Sequence, residues 1–453
     1  MIDRRHFLAT AGSAMMAARA LDRLTRRPAR PIPSAAQLTW QRDELALFLH
    51  FGVNTFTDRE WGDGQEDPTV FAPSSLDARQ WARTARAAGF RTMILTAKHH
   101  DGFCLWPSRT TRHSVASSPL RGGAGDVVRE FVDACRAEGL RPGLYCSPWD
   151  RNAAVYGNSD AYNRFYADQL TELLTGYGPI HEVWFDGANG EGPNGRKQRY
   201  DWPAVFALVR RHQPEAVIFS DAGPDLRWIG NEQGQAGDPN WSTVNPARVP
   251  YPGADGPDVI DALLHGDPEG SDWRPGETDT SIRPGWFYHP AEDDKGKSVP
   301  DLVQLYFSSV GRNSKLLLNV PPTREGLLHA ADVGRLTGFR RELERVFADD
   351  LAIRRPVAWH QLGTRSAMAQ VELSRPMKVG LVDLREAIEQ GQRVARYVVE
   401  GSDGGEWRAM SEGTTIGCRK LDRCEPVTVR RVRVRITEAI DRPLALRISL
   451  YAG

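Results

Sequence analysis

From Leu45 to about Val320, short apolar runs alternate with amphipathic stretches. The runs cover 45–51, 92–96, 143–146, 182–185, 216–219 and 315–320, each four to seven residues long. That is the length of buried parallel strands. Helix signals lie between them: Ser75 is the expected N-cap of a helix that Gly89 ends, Asp126 opens a second that Gly139 closes, and 163–174 reads as a third. The strands start at intervals of roughly 35–50 residues. Strand–helix units repeated over about 300 residues predict an α/β fold, an irregular (β/α)8-like barrel. A doubly wound sheet is the alternative, and the missing Gly-x-Gly-x-x-Gly turn after the first strand counts against it. Segments 187–199 and 223–279 read as long loops, which in a compact domain are usually functional. A long amphipathic helix over 331–347 closes the barrel. After about 352 the texture changes. The runs 369–373, 396–400, 427–437 and 444–450 alternate or are β-branched, with Gly-Gly and Asp-Gly turns between them, the pattern of an antiparallel β-sandwich. The expected division is 1–30, a barrel over 31–350 and a sandwich over 351–453.

Composition narrows this picture. Of 453 residues, 40% are hydrophobic and 26% charged, with 58 basic against 58 acidic side chains. A balanced charge argues against a nucleic-acid partner, and no apolar run is long enough for a membrane span. The balance hides an asymmetry. Residues 1–30 hold seven Arg and two Asp, a charge of +5, which leaves −5 for the remainder. Arg4-Arg5-His6-Phe7-Leu8 followed by an Ala/Gly-rich stretch resembles a twin-arginine export signal, and predicts a periplasmic or secreted protein. A disordered basic tail is the alternative. Five cysteines, without a Cys-x-x-Cys pair, form neither a disulfide framework nor a zinc pattern. Only Cys418 and Cys424 are close enough in sequence for a local bridge.

Barrel enzymes place their sites at the C-terminal ends of the strands. The first run leads to His50, the second to His99, His100 and Asp101, the third passes through Tyr145, and the fourth ends at Asp186. One chemistry for such a set is a metal site of His50, His99, His100 and Asp101. Its spacing is poor, because Gly52 stands where a second histidine of the first strand is expected, and adjacent His99 and His100 point to opposite faces of a regular strand. The other chemistry is glycoside cleavage by two carboxyls, about 5–5.5 Å apart in retaining enzymes. Asp186, at a strand tip before Gly187, suits a nucleophile. Glu232 suits an acid whose pKa is raised by nearby aromatic surface such as Trp228. An Asp in a Phe-Asp-Gly turn is also a common turn or cap residue.

Several motifs occur together in order: Phe48-Leu49-His50-Phe51-Gly52, Glu60-Trp61-Gly62, Lys98-His99-His100-Asp101-Gly102-Phe103, Gly143-Leu144-Tyr145, Val183-Trp184-Phe185-Asp186-Gly187 and Lys315-Leu316-Leu317-Leu318-Asn319-Val320-Pro321-Pro322. The set resembles the retaining α-L-fucosidases of glycoside hydrolase family 29. The resemblance implies that Asp186 is the nucleophile and that His50, Glu60, Trp61, His99, His100 and Tyr145 hold fucose, with Trp184 beside them. Trp228-Ile229-Gly230-Asn231-Glu232 and the segment from Ser281 to His289 resemble the α-1,3/1,4-fucosidase subgroup. That implies Glu232 as acid/base and Trp286 and Glu277 as lining of the sugar site. Glu191 is the rival acid, without motif support. The last domain is similar to the galactose-binding-like domains of the subgroup. A fucosylated oligosaccharide or glycoconjugate is the implied substrate, with no cofactor and no metal. Fucose presents a methyl group beside a row of hydroxyls, which suits aromatic rings interleaved with His, Glu and Tyr. The alternatives are a non-catalytic fucose-binding protein and a barrel hydrolase acting on a related sugar.

Overall fold

The computed structural model describes residues 30–453. The export signal read in 1–30 lies, Arg30 apart, outside the described residues. Ser34 opens the first helix, α1 (Ala35–Asp43), through a capping box with Gln37. The barrel strands then follow: β1 (Leu45–Leu49), β2 (Thr92–Lys98), β3 (Arg141–Cys146), β4 (Glu182–Trp184), β5 (Val217–Phe219) and β6 (Arg227–Trp228). A short antiparallel pair, β7 (Thr243–Val244) with β8 (Asp272–Trp273), precedes β9 (Gly276–Ser281) and β10 (Lys315–Asn319). Helices intervene: α2 (Val53–Thr57), α3 (Ala78–Ala87), α4 (Val127–Ala137), α5 (Ser159–Gly176), α6 (Trp202–His212), α7 (Pro257–His265) and α8 (Val299–Ser308). After β10 comes α9 (Ala330–Val346).

Eight strands form one sheet in the order β5-β4-β3-β2-β1-β10-β9-β6, parallel throughout. An isolated parallel bridge between Phe219 and Leu226 nearly closes the ring. Strand alternation sorts the core into two. Leu45, Leu47, Leu49, Met93 and Leu95 pack outward against the helices, whereas Ala46, Phe48, Ile94, Tyr145, Trp184 and Leu317 fill the interior. Trp40, from α1, belongs to that interior cluster, its indole N–H bonded to Glu182 at 2.9 Å.

The C-terminal part is an antiparallel sheet of β11 (Ala358–Gln361), β12 (Ala367–Arg385), β13 (Val394–Ser402), β14 (Arg408–Gly413), β15 (Lys420–Ala439) and β16 (Arg447–Tyr451). Register shifts interrupt the β12–β15 ladder near 372–381, and such bulges bend strands. Residues on both sides of the bend, Val371 and Leu373 with Val382 and Leu384, share one core. Ile32–Gly453 form one compact unit. Arg419 and Arg385 reach back to Glu44 at 2.8 and 3.0 Å, and the Cys418 N–H donates to Asn313.

Three expectations are corrected. The first barrel helix is capped by Asp77 rather than Ser75, because the Asp77 carboxylate accepts from Gln80 N–H. Segment 223–279 is not one loop but carries β6, β7, α7 and β8. Cys418 and Cys424 are free thiols, facing the carbonyls of Gln41 and Val379 respectively.

Candidate active site

A cavity of about 420 Å3 opens at the C-terminal end of the barrel. Its wall includes His50, Glu60, Trp61, His99, His100, Tyr145, Trp184, Asp186, Glu232 and Trp286, contributed by seven different segments. Of the catalytic and sugar-holding residues expected from the family resemblance, Glu277 alone does not reach this wall. It is fully buried inside the barrel, where its carboxyl accepts from the Trp184 indole N–H at 3.0 Å and lies beside Glu182. Burial, with the neighbouring Glu182 charge, pushes it well above the usual carboxyl range. Glu277 therefore lies under Trp184, below the cavity wall. Asp279, two residues further along β9, reaches the cavity wall in its place.

Both His99 and His100 enter the cavity. Regular pairing of β2 with β3 breaks between Thr96 and Lys98, and β2 ends at Lys98. The two rings lie 4.1 Å apart, so the alternation of a regular strand no longer separates them. Asp101 turns away and anchors the following turn, accepting from Phe103 N–H at 2.7 Å and from Asn54 at 3.1 Å.

The hydrogen bonds fix the ring orientations. Asn319 donates its amide to Ser281 and to the Trp286 carbonyl, so its oxygen accepts from His50 Nδ1 at 2.8 Å. Ser147 donates to the Trp149 carbonyl and therefore accepts from His100 Nδ1 at 2.7 Å. Burial pushes the imidazoles down, His50 to about 3 and His99 well below its ordinary value. His100 is lowered by burial despite the opposing pull of Asp186. Neutral imidazoles offer one donor and one acceptor each, which matches sugar hydroxyls.

Asp186 stands two residues beyond β4. Its Oδ1 accepts from Ala188 N–H at 2.7 Å and its Oδ2 from the Tyr145 hydroxyl at 3.0 Å, with His100 Nε2 at 3.8 Å. Glu232 stands at the rim beyond β6 and accepts from the Trp286 indole N–H at 3.3 Å. The desolvating wall raises its pKa, the Trp286 bond opposes this, and the charges of Asp186 and Glu60 add to the rise. The indole bonded to Glu232 is thus Trp286, whereas Trp228 donates instead to Asp279 at 2.8 Å. Glu191 remains exposed in the loop after β4 and is no part of the cavity wall. Trp61 stands 60% exposed at the mouth, edge-on to Trp149. Among the described residues, no group of three or more His, Cys, Asp or Glu side chains is arranged to hold a metal ion.

A parallel barrel with four carboxyl side chains, neutral histidines and indole rings around one cavity fits a barrel glycoside hydrolase. The family model described as alpha-L-fucosidase matches residues 50–344. The chain belongs to the alpha-L-fucosidase family, glycoside hydrolase family 29, and is an enzyme of that class. It is similar to alpha-L-fucosidase 1 of Arabidopsis thaliana, with 42% identity over 94% of this chain and 88% of that one. A glycoside hydrolase 29 family member from an unknown rumen bacterium superposes with a TM-score of 0.86 at 41% identity, covering 94% of this chain and 78% of that one. A GH29 fucosidase of Ruminococcus gnavus, solved in complex with fucose, has a TM-score of 0.84 at 31% identity, covering 95% and 97%.

Proposed function

We propose that this enzyme removes terminal α-1,3/1,4-linked L-fucose from oligosaccharides or glycoconjugates by double displacement. Asp186 attacks C1 as the glycosidic C–O bond breaks, and Glu232 gives its proton to the departing oxygen. Glu232 then takes a proton from water, which attacks C1 and releases Asp186. The observation that carries this reading is the single cavity onto which Asp186 and Glu232 both open, one bonded to Tyr145 and the other to Trp286. The neutral histidines suit the sugar hydroxyls, and the indole faces suit its apolar side. The linkage preference rests on the Gly230-Asn231-Glu232 segment. The twin-arginine pattern at Arg4-Arg5 supports export to the periplasm or beyond.

Asp186→Gly and Glu232→Ala test the assignment on a Lewis-type trisaccharide. Each is expected to lose about 10²–10⁴-fold or more in kcat. Losses of only a few-fold at both positions contradict it. Initial rates on defined α-1,2-, α-1,3-, α-1,4- and α-1,6-fucosides test the linkage, with the α-1,3 and α-1,4 bonds expected to be cleaved fastest.

A further inference from the structure

The loop after β9 carries a histidine that neither the chemical step nor the sugar-holding set uses. His289 lies between two carboxyl groups of the loop after α2. Its Nδ1 is 2.8 Å from Asp58 Oδ1 and its Nε2 is 2.7 Å from Glu60 Oε1. A neutral imidazole has a single N–H, so one of these contacts would set a ring lone pair against a carboxylate oxygen. Two donors require the imidazolium. We propose that His289 is a positioning residue: a cationic latch that ties Asp58 to Glu60 and, through Glu60, holds Trp286 in the wall of the sugar cavity.

The path is continuous. Glu60 also accepts from the backbone N–H groups of Trp286 and Phe287, at 3.0 and 3.1 Å. The Trp286 indole reaches Glu232, and its carbonyl accepts from Asn319, the residue that orients His50. A Cβ at Gly285 would meet the Glu60 carboxyl and crowd the His289 ring, so a larger residue there would push the Glu60 carboxyl out of this place. Loosening the latch therefore disturbs two sides of the cavity together.

The charged groups around His289 are Asp58, Glu60 and Glu292, with Arg324 3.9 Å from Asp58. Burial alone pushes the imidazolium pKa down. The bonds to Asp58 and Glu60 and the charges of Glu60 and Glu292 outweigh it, and the net direction is upward from 6.5. A raised histidine contributes its stabilisation below its unfolded value and loses it as pH rises through the folded value. The latch is closed while His289 carries its proton and opens as pH rises through that raised value.

The consequence for the acid step rests on the Glu232 assignment, but sugar binding does not, so the test uses binding. L-fucose affinity of the full chain is measured by calorimetry over about pH 5.5–9.5. The parent carries Glu232→Gln to remove that group's titration, and Asp58→Asn and His289→Gln are added to it. The parent is expected to lose affinity on the alkaline side. Asp58→Asn, at a half-exposed position, moves that loss down by about one pH unit, because one of two anionic partners is gone. His289→Gln binds about tenfold more weakly at the acid end of that range and lacks the alkaline loss, since its one amide nitrogen does not reach both carboxylates and its oxygen only accepts. An Asp58→Asn curve superimposed on the parent, or an unchanged alkaline loss in His289→Gln, overturns the proposal. The His289 imidazole NMR midpoint is expected above about 6.5 and lower in Asp58→Asn; a midpoint at or below 6.5 overturns it as well. No fucose binding by the parent would remove the sugar-site reading instead, with the NMR midpoint still deciding the latch.

Discussion

At the scale of single residues, the site depends on groups whose charge is set by surroundings. Burial raises the Glu232 pKa, so its proton persists above the usual carboxyl range and is lost as pH climbs through the raised value. The part of the alkaline fall of kcat/KM that belongs to Glu232, on an aryl fucoside with a good leaving group, should therefore disappear in Glu232→Ala, leaving only the fall expected from the His289 latch, while the acid side is retained. Tyr145 donates to Asp186 at 3.0 Å. Tyr145→Phe is expected to cost about 1.5–3 kcal/mol, roughly ten- to hundredfold in kcat/KM, as a hydrogen bond to a charged group would. Position after the apolar runs points to His50, His99, His100, Tyr145 and Asp186, whereas Glu60, Trp61, Trp184 and Trp286 are legible only through the family resemblance. The place of Glu277 below the wall is legible in neither. Glu277 shares a strand face with Asp279, and two residues along a strand is about 6.6 Å of height. Whether a polar side chain sits under the floor or in the wall depends on how the strands stagger when the barrel closes, which no local pattern encodes. Asp279 was missed for the same reason.

At the scale of elements, the strands that read clearly are those with continuous apolar runs, such as β1 and β10. β6 has two residues and β9 reads Gly-Glu-Thr-Asp-Thr-Ser, all buried. A strand that carries polar groups into a barrel interior loses the hydrophobic signature by which strands are found, and these two strands frame Glu232 and Asp279. The end of β2 shows the reverse case, where a break in pairing, invisible in the sequence, brings His99 and His100 onto one wall. Below them Lys98, fully buried, is bonded to Asp150 and Gln169, both at 2.9 Å. Breaking a buried pair by removing one partner costs about 3–5 kcal/mol. Lys98→Met should lower unfolding free energy by that amount in denaturant titration. A change under about 1 kcal/mol would mean that the pair does not anchor this strand end.

At the scale of the whole molecule, barrel and C-terminal sheet are not independent. The last barrel helix ends at Val346 and the antiparallel sheet begins at Ala358, yet the cross-contacts of Arg419, Arg385 and Asn313 draw on residues far apart in sequence. No periodicity predicts them. Arg419 bonds Asp383 within the sheet domain and Glu44 at the start of the barrel. Thermal unfolding of the full chain should be a single transition. Arg419→Leu should destabilise it by about 3–5 kcal/mol without splitting it. Two resolved transitions in calorimetry would show that the halves fold separately.

The central claim is that Asp186 forms the bond to the sugar. Its most direct test is the product made by Asp186→Gly from an aryl α-L-fucoside in the presence of azide. With the carboxylate removed, azide occupies its place and attacks C1 from the same side. Recovery of activity that rises with azide concentration, with β-L-fucosyl azide seen by NMR, is the predicted result. No rescue, or an α-configured azide, would contradict the account.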